Sequence, residues 1–227
     1  MDRSPLEQTR ELLSACGNQK HLPSCSSSRI RMLDSAALEE RIAIRIAKAT
    51  EALQSSIELA PGLIAGSQTL ANTLLNDGKI MVLGTGSSAA LAQIFVAHMM
   101  HRFERERPGL PAIALSADAV TISSLTDEPS EDQYARQLRA LGKAGDCLIV
   151  VSATGTRASV VQAVVAAHEA NLPVIALTGG DGGEIGPLLN YGDSEIRVRS
   201  DHPTTVREQH LMLIHCLSEL IDLQIFG

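Results

Sequence analysis

A short apolar run, Ile80 to Leu83, breaks at Gly84-Thr85-Gly86 and passes into Ser87-Ser88 and a long apolar stretch. The run reads as a buried strand, the glycines as a turn, and the two serines as cap residues of a helix. A strand entering a helix through a glycine turn aims backbone N–H groups at one spot, where the helix dipole adds partial positive charge. That spot suits a phosphate or another anion, with the serine hydroxyls as further partners. A ligand site is therefore expected at Gly84, Gly86, Ser87 and Ser88. The glycines taken alone would imply only a tight backbone path.

The rest of the chain is organised around this turn. Residues 1 to 31 carry a serine-rich stretch and scattered charge without a sustained period, and read as a disordered extension. Met32 is a second candidate for the natural start. A domain is expected over 32 to 227, with a helical lead-in at 35 to 76 and an α/β core at 79 to 227. Leu38, Ile42, Ile46, Ala49, Leu53 and Ile57 recur at helical spacing, and Pro61-Gly62 is expected to interrupt that helix. Such an amphipathic helix ahead of an α/β core packs on a partner subunit or across the domain face.

After the turn, Ala89 to Met100 is apolar almost all round, so that helix needs cover on both sides. The run Arg102 to Arg107 reads as a solvated helix end. Further strands are expected at Pro111 to Leu115, Cys147 to Ser152, Pro173 to Leu177 and Ser194 to Val198. A last helix is expected to open on Thr205-x-x-Glu208 as a capping box and to run to Phe226. Apolar strands alternating with helices mean a parallel sheet covered on both faces, with ligands beyond the carboxyl ends of the strands. Ser152-Ala153-Thr154-Gly155-Thr156 is a second hydroxyl-bearing turn at that edge. Gly84, Gly86 and Ala89 also fit the looser dinucleotide fingerprint, but Asp118 lies beyond the place where its acidic residue belongs. Two hydroxyl turns fit a phosphorylated small molecule better.

Composition narrows the function. Aromatic residues make up 2% of the 227 residues, and Trp is absent, so a base-stacking platform has no faces to use. A net charge of −7 argues against a general nucleic-acid surface. Cys16, Cys25, Cys147 and Cys216 show no metal spacing, and the latter two sit in apolar stretches, as thiols do in a reducing cytoplasm. Neither an export signal nor an apolar run long enough to span a membrane stands out, and a cytoplasmic protein is expected.

Four stretches carry a family resemblance: Gly-Lys-Ile-x-x-x-Gly-x-Gly-x-Ser at 78–88, Arg-Phe-Glu-x-Glu-Arg-Pro-x-Leu-Pro-Ala-Ile-Ala-Leu at 102–115, Ala-Leu-Thr-Gly-x-Asp-Gly-Gly at 176–183, and Leu-Ile-Asp-x-x-x-Phe at 220–226. From about Leu38 to Phe226 the chain resembles the sugar isomerase (SIS) family, in the branch of phosphoheptose isomerases and DnaA initiator-associating proteins. The resemblance implies a three-layer α-β-α sandwich on a five-stranded parallel sheet. It also implies a homotetramer, with sites built between subunits.

In phosphoheptose isomerases a Glu on the helix after the first turn and a His on the last helix move a proton between C1 and C2 of an open-chain sugar. A further His and a Gln complete a zinc site in many members. By that resemblance this chain keeps His215, but has His98 at the Glu position, Ile94 at the other His and Arg207 at the Gln. Ala97 replaces another acidic position. Ser88, Ser152 and Thr154 match family hydroxyls, as does Ser123, and Asp127 matches an acidic loop residue. Arg157 replaces a serine and either adds a bidentate phosphate contact or fills the pocket. The expected phosphosugar set is thus Gly84, Gly86, Ser87, Ser88, Ser123, Asp127, Ser152, Thr154, Thr156 and Arg157. The resemblance implies a sugar-phosphate binder that has lost isomerase chemistry, holds no metal or cofactor, and regulates replication initiation through DnaA. The alternative is an active phosphoheptose isomerase using His98 and His215, with zinc entering only there. Ile225 and Phe226, at a chain end, are expected either to tuck into another subunit or to face a protein partner.

Overall fold

The computed structural model describes residues 34–125 and 130–227, so the expected extension at 1–31 and Asp127 lie outside the described residues. The chain divides into two compact units, 1–43 and 44–227. Helix α1 (Ser35–Ser55) begins after Asp34, whose carboxylate accepts the Ala37 N–H at 2.8 Å. Its apolar stripe is bare: Leu38, Ile42, Ile46 and Leu53 are all exposed. The expected break at Pro61 comes a turn earlier, where Ser56–Leu59 tightens to a 3-10 turn. Pro61 instead sits in the first turn of α2 (Ala60–Leu75), where a missing N–H leaves no helical bond unmade.

The second unit continues with β1 (Ile80–Gly84), α3 (Ser87–Met100), β2 (Ala112–Ala114), α4 (Ala119–Leu125) and α5 (Gln133–Leu141). It ends with β3 (Cys147–Val151), α6 (Ala158–Glu169), β4 (Val174–Gly179), β5 (Ser194–Val198) and α7 (Pro203–Phe226). The five strands are all parallel, in the order β2-β1-β3-β4-β5. Strand β1 has β2 on one side and β3 on the other, so the winding direction reverses between β1 and β3. That reversal is where open α/β sheets present a crevice for ligands.

Alternate strand residues feed opposite layers, as a strand's two-residue period requires. Val82, Ile149 and Ile175 pack in one core with Leu70 of α2, Phe95 of α3, and Leu213 and Leu217 of α7. Met81, Leu148 and Val150 pack in the other with Leu138 of α5 and Val164 of α6. The expected three-layer α/β sandwich is therefore present, and burial on both faces explains why the strands read as unbroken apolar runs.

Two local expectations are corrected. Helix α7 starts at Pro203 with His202 as its cap residue, not at Thr205. Pro203 presets the helical φ and has no N–H to leave unpaired, so no capping box is needed. Thr205 and Glu208 serve another purpose: both accept from the Arg45 guanidinium of α1.

The run 102–107 is not a helix end, because α3 stops at Met100 and the chain turns back; Arg102, Glu104, Arg105 and Glu106 are exposed as expected, but Arg107 is not. The Arg107 side chain is 1% exposed and donates from Nε to Asp222 Oδ1 at 2.7 Å. Its other nitrogens donate to the carbonyls of His98 and Met99, both at 2.8 Å. The guanidinium thus caps the C-terminal end of α3, where unpaired carbonyls and the helix dipole favour a cation. The ends of the two helices meet again at Phe226. Its half-buried ring faces the Arg105 and Arg107 guanidinium carbons at 5.8 and 6.0 Å, while Ile225 packs against the core edge. Neither side chain is simply left bare at the chain end.

Candidate functional site

The register of β1 on β3 pairs Gly84 with Val151. The two hydroxyl turns expected from the sequence therefore leave neighbouring strands side by side, at the carboxyl edge and at the reversal in winding. In the first turn the cap residue of α3 is Gly86, at φ +57°, not Ser87 or Ser88. The serines fall one position too late to cap, because the left-handed glycine makes the turn itself. The N–H groups of Ser88 and Ala89 donate to the Thr85 and Gly86 carbonyls at 3.1 and 3.0 Å. The set of N–H groups facing a ligand is thus smaller than the motif implies. Ser87 is exposed and Ser88 is buried. The Tyr134 hydroxyl, in the second core, donates to the Gly84 carbonyl at 3.2 Å and fixes the strand end.

In the second turn Ser152 is buried and its Oγ accepts the Gly155 N–H at 3.1 Å, so this hydroxyl first of all shapes the loop. Thr154 and Thr156 are exposed, with their hydroxyl oxygens 3.0 Å apart. Arg157 follows at the cap position of α6, exposed, and has no ion-pair partner among the described residues. Ser123 is exposed on α4. The turn is braced from behind by the Gly-Gly-Asp-Gly-Gly segment, since the Glu184 N–H donates to the Gly155 carbonyl at 3.0 Å. In the sequence that glycine run reads as a family signature only. Its structural use is to let two backbones touch.

His98 and His215 come together elsewhere. Their ring centroids are 5.5 Å apart, and Phe103 closes the trio at 5.0 Å from His98 and 5.7 Å from His215. His98 Nδ1 lies 3.2 Å from Ser218 Oγ, which itself donates to the Ile214 carbonyl at 2.9 Å. That chain of bonds makes Nδ1 the protonated nitrogen and leaves Nε2 with its lone pair. Burial lowers the His98 pKa below the usual histidine value, and the nearby His215 and Arg107 charges act in the same direction. From Ser88 to His98 at ~1.5 Å per residue, the pair lies about 15 Å along α3 from the glycine turn. One chain therefore holds two separate features, an anion-suited edge and a histidine pair.

The zinc that the resemblance implies does not fit this pair. Catalytic zinc takes about three protein ligands. Here two imidazoles are present, Ile94 adds none, and no group of three or more His, Cys, Asp or Glu among the described residues is placed to hold a metal ion. An apolar groove of about 450 Å³ lies on the far flank, lined by Leu53, Ile57, Ile64, Met212, Cys216 and Leu220 among others. Its polar lining is confined to Ser56 and the acidic Glu219, with no cation for a phosphate, so the glycine turns suit a phosphosugar better.

His210 shows what α7 contributes to the sheet edge. It is wholly buried, and its Nε2–H donates to the Thr178 carbonyl at 3.0 Å. Burial pushes its pKa down to about 4, the Thr178 carbonyl works against that shift, and Arg207 reinforces it. In the unfolded chain His210 takes up its proton near pH 6.5, whereas the fold resists protonation down to about pH 4. Stability should therefore be complete above pH 6.5 and fall as the pH drops towards 4, by up to about 1.4 kcal/mol per pH unit. Urea denaturation at pH 7, 6 and 5 tests this, and His210→Gln should flatten the decline.

The fold and these motifs agree with what the chain is similar to. A model of the SIS domain matches residues 40–179. A phosphoheptose isomerase of Methylococcus capsulatus is 45% identical over 190 residues, 83% of this chain and 97% of that protein. The DnaA initiator-associating protein DiaA of Serratia proteamaculans is 45% identical over 182 residues, 78% of this chain and 93% of that one. The solved phosphoheptose isomerase of Francisella tularensis superposes with a TM-score of 0.79 at 35% identity, covering 81% of this chain and 97% of that one. The chain belongs to the SIS domain family. Among the described residues no helix is long and apolar enough to cross a membrane.

Proposed function

We propose that this protein is a cytoplasmic binder of a phosphorylated sugar that has lost isomerase turnover and acts through a protein partner, as a DnaA initiator-associating protein would. The observation that carries the reading is the pairing of Gly84 with Val151, which sets two hydroxyl turns and two helix starts at one sheet edge. The loss of turnover is supported by α3, which carries no carboxylate from Ser87 to Met100. An aldose–ketose isomerase needs a base against the substrate carbon, and the residue standing in for it, His98, is remote from its own chain's anion edge. Assembly as a homotetramer is supported by the bare apolar stripe of α1 and by Leu223 on α7, which a single chain leaves exposed. The half-buried Ile225 and Phe226 are the proposed contacts for the protein partner.

The second reading is an active phosphoheptose isomerase, converting sedoheptulose 7-phosphate to glycero-manno-heptose 7-phosphate. The lone pair on His98 Nε2, beside His215, favours it, as does the 45% identity to the Methylococcus enzyme over 97% of that protein's length. In that case a second copy of the chain must bring its histidine pair to the anion edge.

One pair of measurements separates the readings. Sedoheptulose 7-phosphate at millimolar concentration should raise the melting temperature of the wild-type protein but not of Ser88→Ala/Thr154→Ala. Product formation, with or without added zinc, should stay at background. Robust turnover that disappears in His98→Ala or His215→Ala would promote the second reading, and an equal thermal shift in the double variant would remove the site.

A further inference from the structure

Two arginines at the sheet edge are not used by the fold. Arg41, exposed on α1, has no partner among the described residues either, but other guanidinium groups do: Arg45 reaches Thr205 and Glu208, Arg107 holds Asp222, Arg139 pairs with Glu169, and Arg197 pairs with Glu195. Arg157 and Arg207 have neither an ion pair nor a hydrogen bond among the described residues. Arg157 stands at the head of α6, directly after Thr154 and Thr156. Arg207 is half-buried on α7, and its Nε is buried without an acceptor.

The first turns of α7 lie over the same edge of the sheet. A Cβ placed on Gly179 would run into both the Ala153 carbonyl oxygen and the Val206 methyl groups, so these three residues meet at one point. One turn later His210 is bonded to Thr178. Arg207 belongs to these same first turns of α7, one turn before His210, close enough for its charge to act on that imidazole, whereas Arg157 stands at the head of α6. Its charge is not balanced locally. Glu208 is engaged by Arg45, and the neighbouring imidazole of His210 is itself held neutral, with its Nδ1 also lacking an acceptor.

We infer that the ligand of these turns is a sugar phosphate carrying a second anionic group, a carboxylate or another phosphate, with Arg157 on the first phosphate and Arg207 on the second anion. The inference rests on the phosphosugar reading above and deepens it. A buried guanidinium N–H without an acceptor is destabilising, and a carboxylate or phosphate matches the arginine fork with two parallel bonds. Sugar hydroxyls would satisfy the N–H but leave the charge uncompensated. A single phosphate already has the Thr154 and Thr156 hydroxyls, the α6 N-terminus and Arg157. The second cation therefore addresses a second charge.

The test uses a matched pair of open-chain probes, 6-phosphogluconate and glucitol 6-phosphate, which differ only in a carboxylate for a CH₂OH at the end remote from the phosphate. Isothermal titration of the full chain should give 6-phosphogluconate the tighter binding by about tenfold or more, as one charge-assisted bidentate contact implies. Arg207→Gln should erase that preference and leave glucitol 6-phosphate unchanged, Arg207→Lys should keep part of it, and Arg157→Ser should weaken both. Equal wild-type affinities for the two probes would overturn the inference, even if Arg207→Gln failed to fold. It would also fall if Arg207→Gln weakened both probes alike, which would put both arginines on one phosphate, or if it changed neither. If neither probe nor sedoheptulose 7-phosphate binds, the phosphosugar reading itself fails, a result distinct from loss of the preference alone.

Discussion

Arg107→Met should destabilise the fold by about 3–5 kcal/mol, the effect of removing one partner of a buried ion pair. The side chains of Arg107 and Asp222 are 1% and 5% exposed, so neither charge has water to fall back on. Loss of the guanidinium strands Asp222, whose Oδ2 already lacks a partner, and uncaps the carbonyls of His98 and Met99. It also removes one of the two cations facing the Phe226 ring. Guanidinium denaturation followed by circular dichroism should show the loss as a lower midpoint, and in a chain of this size the melting temperature should drop by roughly 10 °C. Removing both charges in Arg107→Met/Asp222→Leu should recover much of the stability, because an apolar pair avoids the desolvation penalty. A single variant within about 1 kcal/mol of wild type would mean that the pair is neither buried nor coupled as described.

This ion pair shows which parts of the structure the sequence announces and which it hides. The strands were legible because burial on both faces leaves each one a single apolar run, and their parallel direction follows from alternation with helices; their order in the sheet was not. The two hydroxyl turns were legible because glycine and hydroxyl residues follow directly on strand ends. Arg107 was not. A run of alternating charges looks solvated, and the signal that singles out one of its arginines is Asp222, the one buried acid on α7. The meeting of His98 with His215 was not legible from spacing either, since it depends on how α3 and α7 pack. The cap assignments failed for a local reason. Serine and threonine near a helix start are ambiguous by one or two positions, and Gly86 and Pro203 set the true boundaries through their backbone angles.

Gly155→Ala should have the largest effect on the candidate site. Gly155 sits at φ +66°, where an L residue is strained, and a Cβ there would penetrate the Gly182 carbonyl and crowd Gly183. Those are backbone atoms of a segment tied down by the Glu184 N–H to the Gly155 carbonyl, so they cannot swing aside as a flexible side chain would. Left-handed strain contributes about 1–2 kcal/mol, and separating the two interlocked turns adds more, for a loss of about 3 kcal/mol or above. The displacement would also drag Thr154, Thr156 and the head of α6 out of register with the first turn, so the thermal response to sedoheptulose 7-phosphate should disappear. Gly86→Ala is the control. Its φ is nearly the same, at +57°, but a Cβ there meets nothing within 4 Å. With ψ at −131°, outside the left-handed helical well, the backbone strain alone then predicts a loss of about 1–3 kcal/mol, with the second turn intact. If the two variants lose the same stability, the contact between the glycine segments carries no weight. If Gly155→Ala folds well and still responds to the sugar phosphate, the turn at 152–157 is not the phosphate site.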